Sequence, residues 1–143
     1  MTTQRDIRRL AMQVLYQMDV IRGADVRVIG DHLDDQHDSP QVRGPGLALA
    51  EAAWLDHERA DALVTDLAPQ WPTHRQPPVD RAILRLAYYE MASGRTPVNV
   101  SINEAVELAK IYGAKESSAF INGVLDKIAR RIRDPEATPI SED

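Results

Sequence analysis

Arg5, Arg8 and Arg9, continued at helical spacing by Gln13 and Tyr16, are the residues best suited to chemistry on a partner. Guanidinium groups hold phosphate oxygens, and a phenol ring can stack on an unpaired base, so the cluster suits single-stranded RNA. The same residue types also suit an ordinary solvent-facing helix with a half-buried Tyr16, and their spacing leaves both readings open. Phe120, the sole phenylalanine, starts an apolar stripe, where periodicity makes it a core residue. Asp31, His32, Asp34, Asp35, His37 and Asp38 include metal-ligand types, but the run reads as a solvated acidic turn beside a loop. His57-Glu58-Arg59-Ala60-Asp61 lacks the second histidine of a zinc-protease motif. Gly-rich phosphate loops are absent, and no base stands near Ser117-Ser118 to make a nucleophile. Zero cysteines exclude disulfides, thiol catalysis and Cys-ligated zinc. The expectation is a binding protein with no catalytic residue, no metal and no cofactor.

Helices must carry these groups. Ile7, Leu10, Ala11, Val14, Leu15 and Met18 have the three-four spacing of one helical face, which Gly23 ends. Val26 to Leu33 suits a short second helix, and Pro40, Gly44, Pro45 and Gly46 make His37 to Gly46 a loop. Leu47, Ala50, Trp54, His57, Val64 and Leu67 predict one long helix to about Ala68, where Pro69, Pro72, Pro77 and Pro78 break the chain. Val79 to Glu90 is the next helix, stopping near Gly94, and Thr96-Pro97 bends the connection. Ser101 and Glu104 have the spacing of a capping box, which predicts a helix starting at Ser101 and ending with Gly113 in a left-handed conformation. The last helix shows Phe120, Ile121, Val124, Leu125, Ile128 and Ile132 on one face. Gly123 inside it costs ~1 kcal/mol relative to Ala, which predicts a close helix contact there.

No segment alternates as a half-buried strand does, so the fold class is all-α: about six to seven helices in two three-helix, bundle-like subdomains. The subdomains span residues 1–68 and 79–133, and the polar stretch 134–143 reads as a disordered tail. The 143 residues suffice for a single domain with a real core. No apolar run approaches the ~20 residues that span a bilayer, and the charged N-terminus does not suit a signal peptide, so the expected location is the cytoplasm. A net charge of −5 argues against non-specific nucleic-acid binding over the whole surface but permits a local basic patch. Such patches exist at both ends of the expected fold: Arg5, Arg8 and Arg9 first, Lys127, Arg130, Arg131 and Arg133 last.

Two motifs then point to a family. Ile102 to Lys110 (INEAVELAK) and Phe120 to Lys127 (FINGVLDK), in this order and separation, resemble the NusB family of bacterial transcription antitermination factors. Val79 to Glu90 and Arg9 to Tyr16 are similar to the family's preceding and first helices, while Val20 to Gln76 agrees only in helical pattern. The resemblance implies a non-catalytic protein that binds the single-stranded boxA element of nascent ribosomal RNA transcripts. Its partner there would be the small-subunit ribosomal protein NusE, with other Nus factors and RNA polymerase engaged indirectly. It is compatible with a monomer or a homodimer. By position it implies an RNA path over Arg8, Arg9, Gln13, Tyr16, Asp80, Arg81, Arg85, Glu116 and Phe120, and the residue pattern adds Arg5. Tyr16 and Phe120 would stack on bases and the arginines hold phosphates. Where the family has an arginine-rich N-terminus, Asp6 interrupts and Met1 to Gln4 bring no side-chain cation, which implies weak RNA affinity without the partner. Two alternatives stand beside this expectation. One is an interaction protein with weak or lost RNA binding; the other is the RNA-binding module of a ribosomal RNA methyltransferase, which would need a Rossmann-type domain.

Overall fold

Apolar residues at helical spacing build the long helices of the computed structural model, which describes residues 3–21, 26–31 and 39–133. The elements run α1 (Thr3–Val20), α2 (Val26–Asp31), α3 (Pro40–Leu55), α4 (His57–Leu67), a 3-10 turn (Thr73–Arg75), α5 (Pro78–Ala92), α6 (Val98–Tyr112) and α7 (Ser117–Arg133). Among the described residues there is no strand. The acidic stretch from His32 to Asp38 and the tail 134–143 lie outside the described residues, so the expectations placed on them concern segments not described.

α5 is the central helix. Ala82, Ile83, Leu86 and Ala87 are buried on it, and it packs against α1, α3, α4, α6 and α7. The expected face of α1 is in place, with Ile7, Leu10, Ala11, Val14 and Leu15 all buried against α3 and α5. Each fully buried Leu, Ile or Val stabilises by about 1.5–3 kcal/mol, so these two helices anchor the molecule. The buried residues of both halves join in one continuous cluster through α1 and α5.

Several boundaries differ from expectation, each for a local reason. His37 to Gly46 is not a loop throughout: α3 begins at Pro40. Proline at a first helical position loses no hydrogen bond, and Pro45 lies so early that the carbonyl it leaves without a donor, that of Gln41, is in the exposed first turns. Gly46 admits α1, because a Cβ there would stand 2.7 Å from Leu10 Cδ2. The expected long helix is two, broken at Asp56, whose N–H turns back to the Ala53 carbonyl at 3.1 Å.

The capping box is not formed. Pro97 directly precedes a helix that starts at Val98, so Ser101 falls inside α6, buried, with its Oγ lacking a hydrogen-bond partner, while Glu104 pairs with Arg5. Gly113 is extended (φ −91, ψ −177) rather than left-handed. Space requires the glycine instead: a Cβ would meet Ser117 Cβ at 2.7 Å and the Ala109 carbonyl oxygen at 2.8 Å. Among the described residues, Gly94, at φ 77, is the left-handed one. Gly123 is exposed, with nothing within 4 Å of where its Cβ would be, so no close helix contact accounts for it.

Candidate functional site

Residues four apart on α1 return to nearly the same direction, and Arg5, Arg9, Gln13 and Tyr16 therefore form one strip on its outer side. The strip is open: Arg5 is exposed, Tyr16 is 37% exposed, and Arg9 and Gln13 are half-exposed. Arg5 forks onto Glu104 of α6, with Nε at 3.1 Å from Oε1 and Nη2 at 3.2 Å from Oε2. Arg9 donates to Gln13 Oε1 at 3.3 Å and stands 3.9 Å from Asp6. An exposed pair of this kind contributes only ~0–1 kcal/mol, so a phosphate can displace the carboxylate.

Arg8 points the other way. It is 8% exposed, and its Nε bonds Glu90 Oε1 at 3.0 Å and Oε2 at 3.1 Å. Thr96 Oγ1 donates to the same carboxylate at 2.8 Å, so the group ties α1 to α5 and to the turn after it. The Arg8 guanidinium is thereby a strut between helices and is not presented to solvent.

Arg81 and Arg85 are held in a second network. Asp19, one turn after Tyr16, accepts from Arg81 Nε at 2.6 Å and lies 3.5 Å from Arg85 Nη1. Arg81 also donates to the Gln76 carbonyl at 2.8 Å, fixing the segment before α5. Arg85 bonds Asp61 of α4 through Nε at 2.9 Å and Nη2 at 2.7 Å. Its guanidinium lies 5.4 Å from the centre of the Trp54 ring, which stacks on His57 at 3.9 Å. These charges border an open groove of about 1010 Å³ that also includes Asp66, Thr73 and His74.

Asp80 is buried near the start of α5 and accepts from Ser117 Oγ at 2.8 Å, while Ser117 Oγ accepts from the Ala114 N–H at 3.0 Å. Burial raises the Asp80 carboxyl pKa above its ordinary 3.8, and the Ser117 hydrogen bond opposes that rise. This relay fixes the start of α7, just before which Glu116 is exposed and one turn into which Phe120 is half-buried. Phe120 lines another groove, of about 450 Å³, with Trp71 and Lys127. A third cleft, about 140 Å³, separates the start of α1 from the end of α6, where Tyr112 stands near Arg5 and Arg9.

The ten expected site residues thus fall into three sets. Arg5, Arg9, Gln13 and Tyr16 share the strip, Glu116 and Phe120 present themselves at α7, and Arg8, Asp80, Arg81 and Arg85 are tied to partners within the protein, the two last at the wall of the large groove. Asp19, Asp61 and Glu90, which hold those arginines, escaped the sequence reading because their partners lie far away in the chain. Trp71 escaped it as part of a proline-rich connection. Among the described residues no group of three or more His, Cys, Asp or Glu side chains is placed to hold a metal ion. No described helix is long and apolar enough to cross a membrane.

The family model described as the NusB family matches residues 5–130. A transcription antitermination protein NusB of Roseiflexus castenholzii is 37% identical over 131 residues, which cover 90% of this chain and 92% of that relative. One of Solibacter usitatus is 37% identical over 141 residues, covering 97% of each chain. Among solved structures, NusB of T. maritima superposes with a TM-score of 0.80 at 31% identity, over 96% of this chain and 94% of that one. A chain from the crystal structure of antitermination factors NusB and NusE in complex with dsRNA gives 0.73 at 22% identity, over 90% of this chain and 96% of its own, which speaks for the fold.

Proposed function

This chain belongs to the NusB family, and from that premise we propose that it is a non-catalytic transcription antitermination factor. In this reading it binds the boxA element of nascent ribosomal RNA as a single strand, together with NusE, and through that pair acts with other Nus factors on RNA polymerase. The observation that carries the reading is the family match over residues 5–130, which includes the open strip on α1.

The chemistry of the surface supports it. Arg5 and Arg9 supply cations for phosphates, Gln13 supplies an amide, and Tyr16 a ring on which an unpaired base stacks. Glu116 and Phe120 extend the path to α7, with the carboxylate accepting from a base N–H and the ring stacking. Arg8, Asp80, Arg81 and Arg85 act through the helices they fasten. One turn after Tyr16, Asp19 accepts from Arg81, and neighbouring Asp80 accepts from Ser117, beside Glu116. A modestly acidic protein can bind RNA in this way because the positive charge is local. NusE adds contacts on the shared RNA, so the free protein need not bind tightly.

Replacing Arg9 and Tyr16 together by alanine is expected to abolish boxA binding by the purified complex with NusE while the helical CD spectrum stays native. Unchanged affinity in that variant rejects the α1 strip. A second reading, an interaction protein with weak or lost RNA binding, draws on the burial of Arg8 and the pairing of Arg5 with Glu104. Capture of boxA RNA with and without NusE separates the two, since the second reading predicts NusE binding and no RNA retained in either case.

A further inference from the structure

The groove between the end of α4 and α7 differs in charge from the two other clefts. Its walls are the segment from Leu67 to Trp71 and the α7 residues Phe120, Gly123 and Lys127, and among the described residues no carboxylate lines it. The large groove, by contrast, carries Asp19, Asp61 and Asp66, and the small cleft Asp6, Glu104 and Glu107. Trp71 is 53% exposed at its rim, a costly position for so large an apolar ring. Lys127 Nζ donates to the Leu67 carbonyl at 3.4 Å and has further N–H groups for an incoming acceptor. Phe120, Gly123, Lys127 and Arg130 recur at three-four spacing on α7, and Arg130 is exposed.

Gly123 is the informative residue. It weakens the middle of α7, and with open space at its Cβ position no packing among the described residues explains it. What the missing side chain does is keep the groove open between an aromatic ring and an ammonium group. Resting on the function proposed above, we infer that this groove is a second nucleotide site for the same single-stranded RNA. One base stacks on Trp71 over the bare backbone of Gly123, and the adjoining phosphates meet Lys127 and Arg130. Aromatic surface, cations and no lining carboxylate are complementary to a polyanion with flat bases, and Phe120 joins the groove to the path that starts on α1.

The test uses the full chain with NusE and a short fluorescent single-stranded boxA RNA. Gly123→Leu fills open space with a better helix former, so it is expected to melt no lower than the parent while weakening RNA binding at least about five-fold. Trp71→Leu is expected to weaken binding to a similar extent and to remove the tryptophan quenching that RNA causes in the parent. Lys127→Gln is expected to lower the slope of log affinity against log salt by about 0.7. Parent-like RNA affinity in Gly123→Leu and Trp71→Leu overturns the groove site and leaves the α1 strip standing. Variants that keep RNA but lose NusE overturn it in favour of a protein-docking groove. A parent complex that binds no boxA RNA overturns the proposed function and this site with it.

Discussion

Arg8 and Arg9 are neighbours in sequence with opposite tasks, and their consequences on substitution differ accordingly. Removing Arg8 leaves Glu90 buried with a weakened set of partners, which costs about 3–5 kcal/mol for a broken buried pair. Arg8→Ala is therefore expected to lower the melting temperature markedly, while Arg9→Ala leaves it nearly unchanged; calorimetry on both variants checks the contrast. Asp80 makes a pH-dependent prediction. Its folded-state pKa is raised, so the stability it contributes is fully present below the ordinary value of 3.8 and is lost as pH rises through the raised one. Asp80→Asn keeps an acceptor for Ser117 and does not titrate. The stability of this variant relative to the parent is thus expected to increase from about pH 3 to about pH 7 in urea melts, and a decrease over that range would contradict the assignment. Neither pairing was legible beforehand. The sequence shows three arginines near one helix start, but which of them faces inward depends on Glu90, 82 positions away from Arg8.

At the scale of helices, periodic faces were legible and ends were less so. The apolar stripe of α1 is repeated over several turns, and burial of such a stripe outweighs any single unfavourable residue. An end is decided by one or two competing local signals. Ser101 and Glu104 fit a capping box, but Pro97 opens the helix one turn earlier and the box is consumed inside it. Gly44, Pro45 and Gly46 read as a loop, yet Gly46 is where α3 lets Leu10 approach. Gly46 and Gly123, both inside helices, therefore predict opposite outcomes. Gly46→Ala inserts a methyl group into a filled contact and is expected to destabilise by about 1–3 kcal/mol. Gly123→Ala adds a methyl group in open space and is expected to stabilise by ~0.5–1 kcal/mol. Thermal melts of the two variants should shift in opposite directions.

For the molecule as a whole, the continuous core through α1 and α5 couples the α1 strip to the start of α7. Unfolding followed by far-UV CD and by tryptophan fluorescence is expected to give coincident transitions, since Trp54 packs against that core. The family was legible because its motifs lie on α5, α6 and α7, helices with buried apolar faces, whereas most of the proposed binding surface is carried by side chains outside those motifs. Of ten expected site residues, the arrangement leaves six facing outward: Arg5, Arg9, Gln13, Tyr16, Glu116 and Phe120. The other four are bonded to side chains of neighbouring elements. Because the net charge is −5, attraction to RNA has to come from this local path and not from the molecule's overall field. The most direct measurement is boxA RNA affinity of the complex with NusE across a series of salt concentrations, for the parent and for Arg9→Gln. A linear fall of log affinity with log salt is expected in the parent, and a slope shallower by about 0.7 in Arg9→Gln. A slope near zero, or an identical slope in the two proteins, would contradict a local basic path on α1.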